Sequence, residues 1–246
     1  MTPTSALEMN DKVVWVTGGS RGIGFAAASE LARRGATVVL LGKTQESAQN
    51  AAETLVSQGL DAIGVGVDIS DPDAVTTIVG SHPLAAQTDV LINSAGVMSD
   101  KMAKTLRASS QEWNRVMGIN FTGTLNMIQA IAPSMVERRS GRIINVSACL
   151  GRFSGPGLAG GLAPYRISKT AVNALTKNLA AELGAGKRGI LVDAMCPNHT
   201  RTDMGGPDAP RSPEEAAETI VWLATREHND EIQTGLLWED EKVVPW

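Results

Sequence analysis

Tyr165 and Lys169 stand four residues apart at the start of a helical pattern, "YRISK", and so share one helix face. A phenol is a poor proton donor or acceptor at neutral pH, because its pKa lies near 10. Lowering that by about 3 pH units takes ~4 kcal/mol. A lysine ammonium about 4 Å away supplies roughly this much at an effective dielectric near 20, and only about 1 kcal/mol in bulk water. The pair can therefore do acid–base work only where solvent is partly excluded. Ser147 closes the apolar run "RIINVS" upstream and adds a hydroxyl. Proton transfer to or from a substrate oxygen is the chemistry these three types offer together.

A second group of residues is ambiguous. "TGGSRGIG" (17–24) contains G-x-S-x-G, the turn that can carry a serine nucleophile. It also reads as a glycine-rich turn laying a phosphate against a helix N-terminus. One reading makes Ser20 the catalyst of a hydrolase; the other makes it part of a cofactor cradle.

The elements around these residues decide between them. "KVVWVT" (12–17), "TVVLL" (37–41), "AIGVGV" (62–67), "VLIN" (90–93), "RIINVS" (142–147) and "ILVDAMC" (190–196) read as strands buried on both faces, with a weaker run at "GLLWE" (235–239). Helical patterns at 24–34, 45–58, 111–138 and 165–183 lie between them. This alternation predicts one α/β domain over 1–246, a Rossmann-type doubly wound parallel sheet with helices on both faces. Residues 1–10 read as a flexible leader, and the Gly/Pro-rich patches at 151–164 and 205–213 as inserted loops. Ser212, Pro213 and Glu215 form a capping box that starts a helix abruptly after a substrate loop at 199–211. In such a fold ligands bind beyond the carboxyl ends of the strands, where "TGGSRGIG", "GKT", "VDIS", "NSAG", "SACLGR" and "CPNHTRTDM" fall.

Against the hydrolase, the motif follows the first strand, whereas a nucleophile elbow needs strands and an oxyanion loop before it. None of the three histidines, His82, His199 and His228, is placed by a motif. Ser20 is read as a cradle residue. The net charge of −4 argues against nucleic acid or an anionic membrane as main partner. Cys149 and Cys196 have neither metal-ligand spacing nor a disulfide framework, so no metal is expected and a reducing cytoplasm is the simplest location. The leader lacks the features of a signal peptide, and no apolar run is long enough to span a bilayer.

The glycines read T-G-x-x-x-G-x-G. Together with "NSAG" (93–96), "INVS" (144–147) and "YRISK" (165–169), this pattern resembles the short-chain dehydrogenase/reductase family from about Lys12 onward. The resemblance implies that Tyr165 exchanges a proton with the substrate oxygen as hydride moves, that Ser147 hydrogen-bonds that oxygen, and that Lys169 holds ribose hydroxyls and depresses the tyrosine pKa. Asn120 in "VMGINFTGT" matches the asparagine of a water-linked proton relay. The matching segments set Gly18, Ser20, Arg21, Gly22, Ile23, Gly24, Lys43, Asp68, Ile69, Asn93, Ala95, Gly96, Tyr165, Lys169, Pro197, Asn198, Thr200 and Thr202 against the cofactor. In "PNHTRTDM" (197–204) Asn198 replaces the usual glycine, a departure at a turn where φ is expected to be positive.

Lys43 and Arg21, with no carboxylate at the end of the second strand, favour NADP(H). An aspartate in place of Gly42 would repel the 2′-phosphate. The part from Thr202 onward is similar to carbonyl reductases, so the expected substrate is a small carbonyl or alcohol and the reaction an NADPH-dependent reduction of ketones or aldehydes. A cofactor-sensing regulatory protein is the alternative; Ser147, Tyr165 and Lys169 argue against it. Only 17 residues separate Ser147 from Tyr165, without the long insertion of monomeric carbonyl reductases, so a homodimer or homotetramer is expected.

Overall fold

The computed structural model describes residues 9–227 and 233–246. The strands are β1 (Val13–Thr17), β2 (Thr37–Gly42), β3 (Ala62–Gly66), β4 (Thr88–Asn93), β5 (Gly141–Val146), β6 (Ile190–Met195), β7 (Leu237–Glu239) and β8 (Lys242–Val244). The helices are α1 (Gly22–Arg33), α2 (Gln45–Val56), α3 (Pro72–Ser81), α4 (Ser110–Met117), α5 (Gly123–Arg138), α6 (Ala163–Glu182) and α7 (Pro213–Thr225). One sheet orders the strands β3-β2-β1-β4-β5-β6-β7-β8, with β8 alone antiparallel.

Side chains alternate across a strand, and here both faces are covered. Val14 and Val16 of β1 join a core with Leu31 of α1, Leu55 of α2 and Ile220 of α7. Trp15 points the other way, into a core with Val75 of α3, Met127 and Ile131 of α5, and Val192 of β6. Continuous apolar runs are thus the signature of strands sandwiched between two helical layers. The chain leaves β1 toward β2 on one side, and β4 pairs with β1 on the other. That reversal opens a crevice beyond the carboxyl ends of β1 and β4.

Three expectations are revised. Residues 111–138 form not one helix but α4 and α5 joined by a π-helical turn over Gly118–Thr122, a feature common at functional sites. The end of the chain adds β8 through a tight turn at Asp240 and Glu241, both at positive φ (50° and 59°). Of the leader, Met9 is buried and its N–H donates to the Arg34 carbonyl, so that end is fixed; residues 1–8 and His228 lie outside the described residues. The capping box is present: Ser212 accepts from Glu215 N–H and Glu215 accepts from Ser212 N–H. No helix among the described residues is long and apolar enough to cross a membrane.

Candidate active site

The strand ends meet at a cleft of about 890 Å³. One wall is the turn from β1 into α1. Gly22 sits at φ +56°, and a Cβ there would meet Thr202 Cγ2 at 3.2 Å. At Gly24 a Cβ would lie 2.5 Å from the Gly18 carbonyl oxygen, so only glycine lets α1 approach β1 this closely. Helix α1 has no side-chain cap and no acid in its first turn. Its leading N–H groups and the positive end of its dipole are left for an anion from outside the helix. Residues of these kinds fit the pyrophosphate of a dinucleotide.

The opposite wall comes from β5 and α6. Pro164 opens α6, and Ala163 N–H is anchored on the Ala103 carbonyl at 2.8 Å. Ser147, Tyr165 and Lys169 all line the cleft and all are buried. Lys169 Nζ donates to the Val146 carbonyl at 2.7 Å, and burial pushes its pKa down to about 8. Its Nζ stands 6.0 Å from the centre of the Tyr165 ring. Burial drives the Tyr165 phenol above its ordinary value. Burial sets the direction of this shift, and the phenol is held protonated.

Asn120 lies in the π-helical turn, fully buried. Its side chain accepts from Val97 N–H at 2.8 Å and donates to the Val97 carbonyl and to Ser168 Oγ. It therefore braces the loop after β4 against α6 and does not line the cleft. Three other expected contacts also fail to reach it. Asn93 is buried beneath the cleft, donating to Asn145 Oδ1 at 2.9 Å, which continues to Thr176. Thr200 is buried and donates to the Pro197 carbonyl. Asn198 turns the chain at φ +58°, tolerable because asparagine is among the residues that enter the left-handed region. The structure brings Gly18, Ser20, Arg21, Gly22, Ile23, Gly24, Lys43, Asp68, Ile69, Ala95, Gly96, Pro197 and Thr202 to the cleft. Neither His82 nor His199 lines it beside Ser20: His82 packs edge-on against Trp15, and His199 bonds the Gly205 carbonyl.

The two cations are not free of acids, as the sequence suggested. Arg21 pairs with Asp203 at 2.5 Å, and Lys43 Nζ is 4.0 Å from Asp68. Asp68 is held below its ordinary pKa chiefly by the Ser70 hydroxyl. Ser47 and Met98 also line the cleft from outside the expected segments, and Ser94 and Asp203 line it from within "NSAG" and "CPNHTRTDM". The Arg21–Asp203 pair spans 182 positions, and no local pattern announces it. The substrate loop is tied at its neck, where Arg201 donates to the Ala209 and Pro210 carbonyls.

Sheet order, crevice and glycine-lined helix start define a doubly wound α/β protein of the Rossmann type. A family model described as short chain dehydrogenase matches residues 12–212. The 3-oxoacyl-(acyl-carrier-protein) reductase FabG of Staphylococcus aureus is 36% identical over 197 residues, 78% of this chain and 76% of that one. A 3-oxoacyl-(acyl-carrier protein) reductase from Brucella melitensis, solved with bound NAD, superimposes with a TM-score of 0.83 at 32% identity, covering 95% of this chain and 90% of that one. A Beutenbergia cavernae structure holding NADP at low occupancy gives 0.84 at 26% identity, covering 96% and 97%. The chain belongs to the short-chain dehydrogenase family and is an oxidoreductase.

Proposed function

We propose that this protein is an NADP(H)-dependent reductase of ketones and aldehydes, with 3-oxoacyl thioesters among the carbonyl compounds to test. One observation carries the reading: a buried Ser147–Tyr165–Lys169 wall faces an uncapped, glycine-lined helix start within one cleft. The relatives' names support it for the substrate class, and Arg21 and Lys43 at the cleft edge support the phosphorylated cofactor. A cytoplasmic homodimer or homotetramer accompanies this reading.

When bound, the nicotinamide supplies or accepts the hydride. The chain's part is positioning and proton handling. The first turn of α1, with Gly22 and Gly24, seats the pyrophosphate. Lys169, charged below about pH 8 and buried in the cleft wall, would donate to ribose hydroxyls. Tyr165, kept protonated by burial, gives its proton to the carbonyl oxygen during reduction. Ser147 Oγ lies in the same wall and hydrogen-bonds with the reacting oxygen or with the phenol. Asn120 holds the Val97 loop and α6 in register beneath them.

The test is cofactor oxidation followed by absorbance, with acetoacetyl-coenzyme A and a panel of small ketones, using NADPH and NADH in parallel. Turnover with NADPH at a kcat/KM at least tenfold above that with NADH is expected. Turnover with neither cofactor on any carbonyl would refute the reading.

A further inference from the structure

Cys149 and Cys196 are the chain's two cysteines, both free, and the reductase reading uses neither. Far apart in sequence, they are brought together by the fold. Strands β5 and β6 are neighbours, and Ser147 N–H, just past the end of β5, donates to the Met195 carbonyl at 2.8 Å. Cys149 stands two residues after that serine and Cys196 one residue after Met195, so both leave the sheet at the same edge. Their side chains share one apolar cluster with Leu237 and Trp246. Cys196 is buried, Cys149 only partly so, and the Cys196 thiol donates a hydrogen bond to the Cys149 sulfur. That bond brings the Cys149 thiol down to about 6, against its own burial and the charge of Glu239 and with help from Arg152. The same bond, together with burial, pushes the Cys196 thiol up. Glu239 and Arg152 pair with each other at 3.2 Å. A nucleophilic thiolate is thus held against a protonated thiol. The turn that carries Cys149 also reaches the site, because Ala148 and Leu150, on either side of it, pack with Tyr165.

We propose that Cys149 and Cys196 form a redox switch of the cleft, closed by a peroxide and reopened by a dithiol. The Cys149 thiolate attacks one oxygen of hydrogen peroxide, the O–O bond breaks and hydroxide leaves. The sulfur, two electrons poorer, becomes a sulfenic acid. The Cys196 sulfur then attacks the Cys149 sulfur and the S–O bond breaks. The departing hydroxide takes the Cys196 proton and leaves as water. A dithiol returns two electrons and two protons by exchange. Closing the S–S bond draws the Cys149–Gly151 turn toward β6 and moves Ala148 and Leu150 against Tyr165. On the other side, Cys196 is followed directly by Pro197, which lines the cleft. Misplacing a reacting group by about 1 Å can cost on the order of 10²-fold in rate. The closed pair therefore stops turnover, as befits the transient, sensing kind of disulfide found in reducing compartments. The chemistry of the pair is independent of substrate, whereas its effect on turnover rests on the reductase reading given above.

The experiment treats the reduced full chain with hydrogen peroxide. Intact mass and peptide mapping without reductant follow the thiols, and NADPH fluorescence and turnover of acetoacetyl-coenzyme A follow the cleft. A Cys149–Cys196 cross-link with loss of two hydrogens is expected. Turnover should fall about tenfold or more, and dithiothreitol should restore it. Cys149→Ser should keep wild-type turnover and lose the response to peroxide. Cys196→Ala should stop at the sulfenic acid, trapped on Cys149 as a dimedone adduct. No cross-link, a cross-link that leaves both turnover and NADPH affinity unchanged, or an equal loss of turnover in Cys149→Ser would overturn the proposal. A reduced wild type that turns over no carbonyl would instead overturn the reductase reading. The switch is then judged by the cross-link and by a loss of NADPH affinity that dithiothreitol reverses.

Discussion

Lys169→Met should make the protein more stable and almost inactive. Burial lowers the Lys169 pKa from 10.5 to about 8 in the folded chain. This difference corresponds to ~3 kcal/mol of cost for holding the ammonium in the fold. The sign follows from linkage. Below pH 8 the lysine is protonated both folded and unfolded, and the whole cost is present. Between about 8 and 10.5 the unfolded chain binds more protons than the folded one, so stability rises with pH there. Methionine is close in volume to lysine and removes the charge, at the expense of the charge-assisted bond to the Val146 carbonyl, worth about 2 kcal/mol. A net gain of ~1 kcal/mol at pH 7 is expected, or a Tm roughly 2–4 °C higher for a chain of this size. Thermal denaturation at pH 7 and at pH 10 measures it, with NADPH turnover in parallel. The gain should shrink at the higher pH. A lower Tm at pH 7, or a gain that does not change with pH, would refute the account of a charge buried for function.

Arg21→Ala and Lys43→Ala should each weaken NADPH by about threefold to tenfold and leave NADH nearly unchanged, as read by fluorescence titration. The effect is smaller than charge-assisted bonds usually give, because both side chains are exposed and the phosphate must displace Asp203 or Asp68. Asn198→Gly should raise Tm by a few degrees, since glycine relieves the left-handed backbone at φ +58° at a cost of only a weak contact with the Cys196 thiol. Gly42→Asp should not act as a clean cofactor switch: its Cβ would stand 2.7 Å from Ser47 Oγ and 3.1 Å from Ala48 N. A Tm loss of at least a few degrees is expected along with any change in preference.

The strands were legible because the sandwiching of the sheet leaves them uninterruptedly apolar, as in the fully buried β1. The helix start at Ser212 was legible because capping chemistry is local. What escaped notice depended on geometry that local sequence does not carry. The β7–β8 hairpin turns through Asp240 and Glu241; aspartate can signal such a turn, but glutamate at positive φ, where glycine usually follows, hides it. The π-helical turn around Asn120 leaves the apolar pattern of the surrounding helix intact. In the site, Ser147, Tyr165 and Lys169 could be read from type and spacing, but the direction of the tyrosine shift could not, because it turns on burial. The pairing of Asp203 with Arg21 could not be read, since the two are brought together only by the fold.

The central claim is that Tyr165 delivers the proton to a reduced carbonyl. The most direct measurement compares Tyr165→Phe with the wild type for NADPH affinity and for turnover of acetoacetyl-coenzyme A. The ring still packs and only the transferable proton is lost, so affinity should stay within about threefold. Turnover should fall by 10²-fold or more, in the range of roughly 10²–10⁴ that a positioned acid supplies. A variant that keeps more than about a tenth of the wild-type rate would contradict the account.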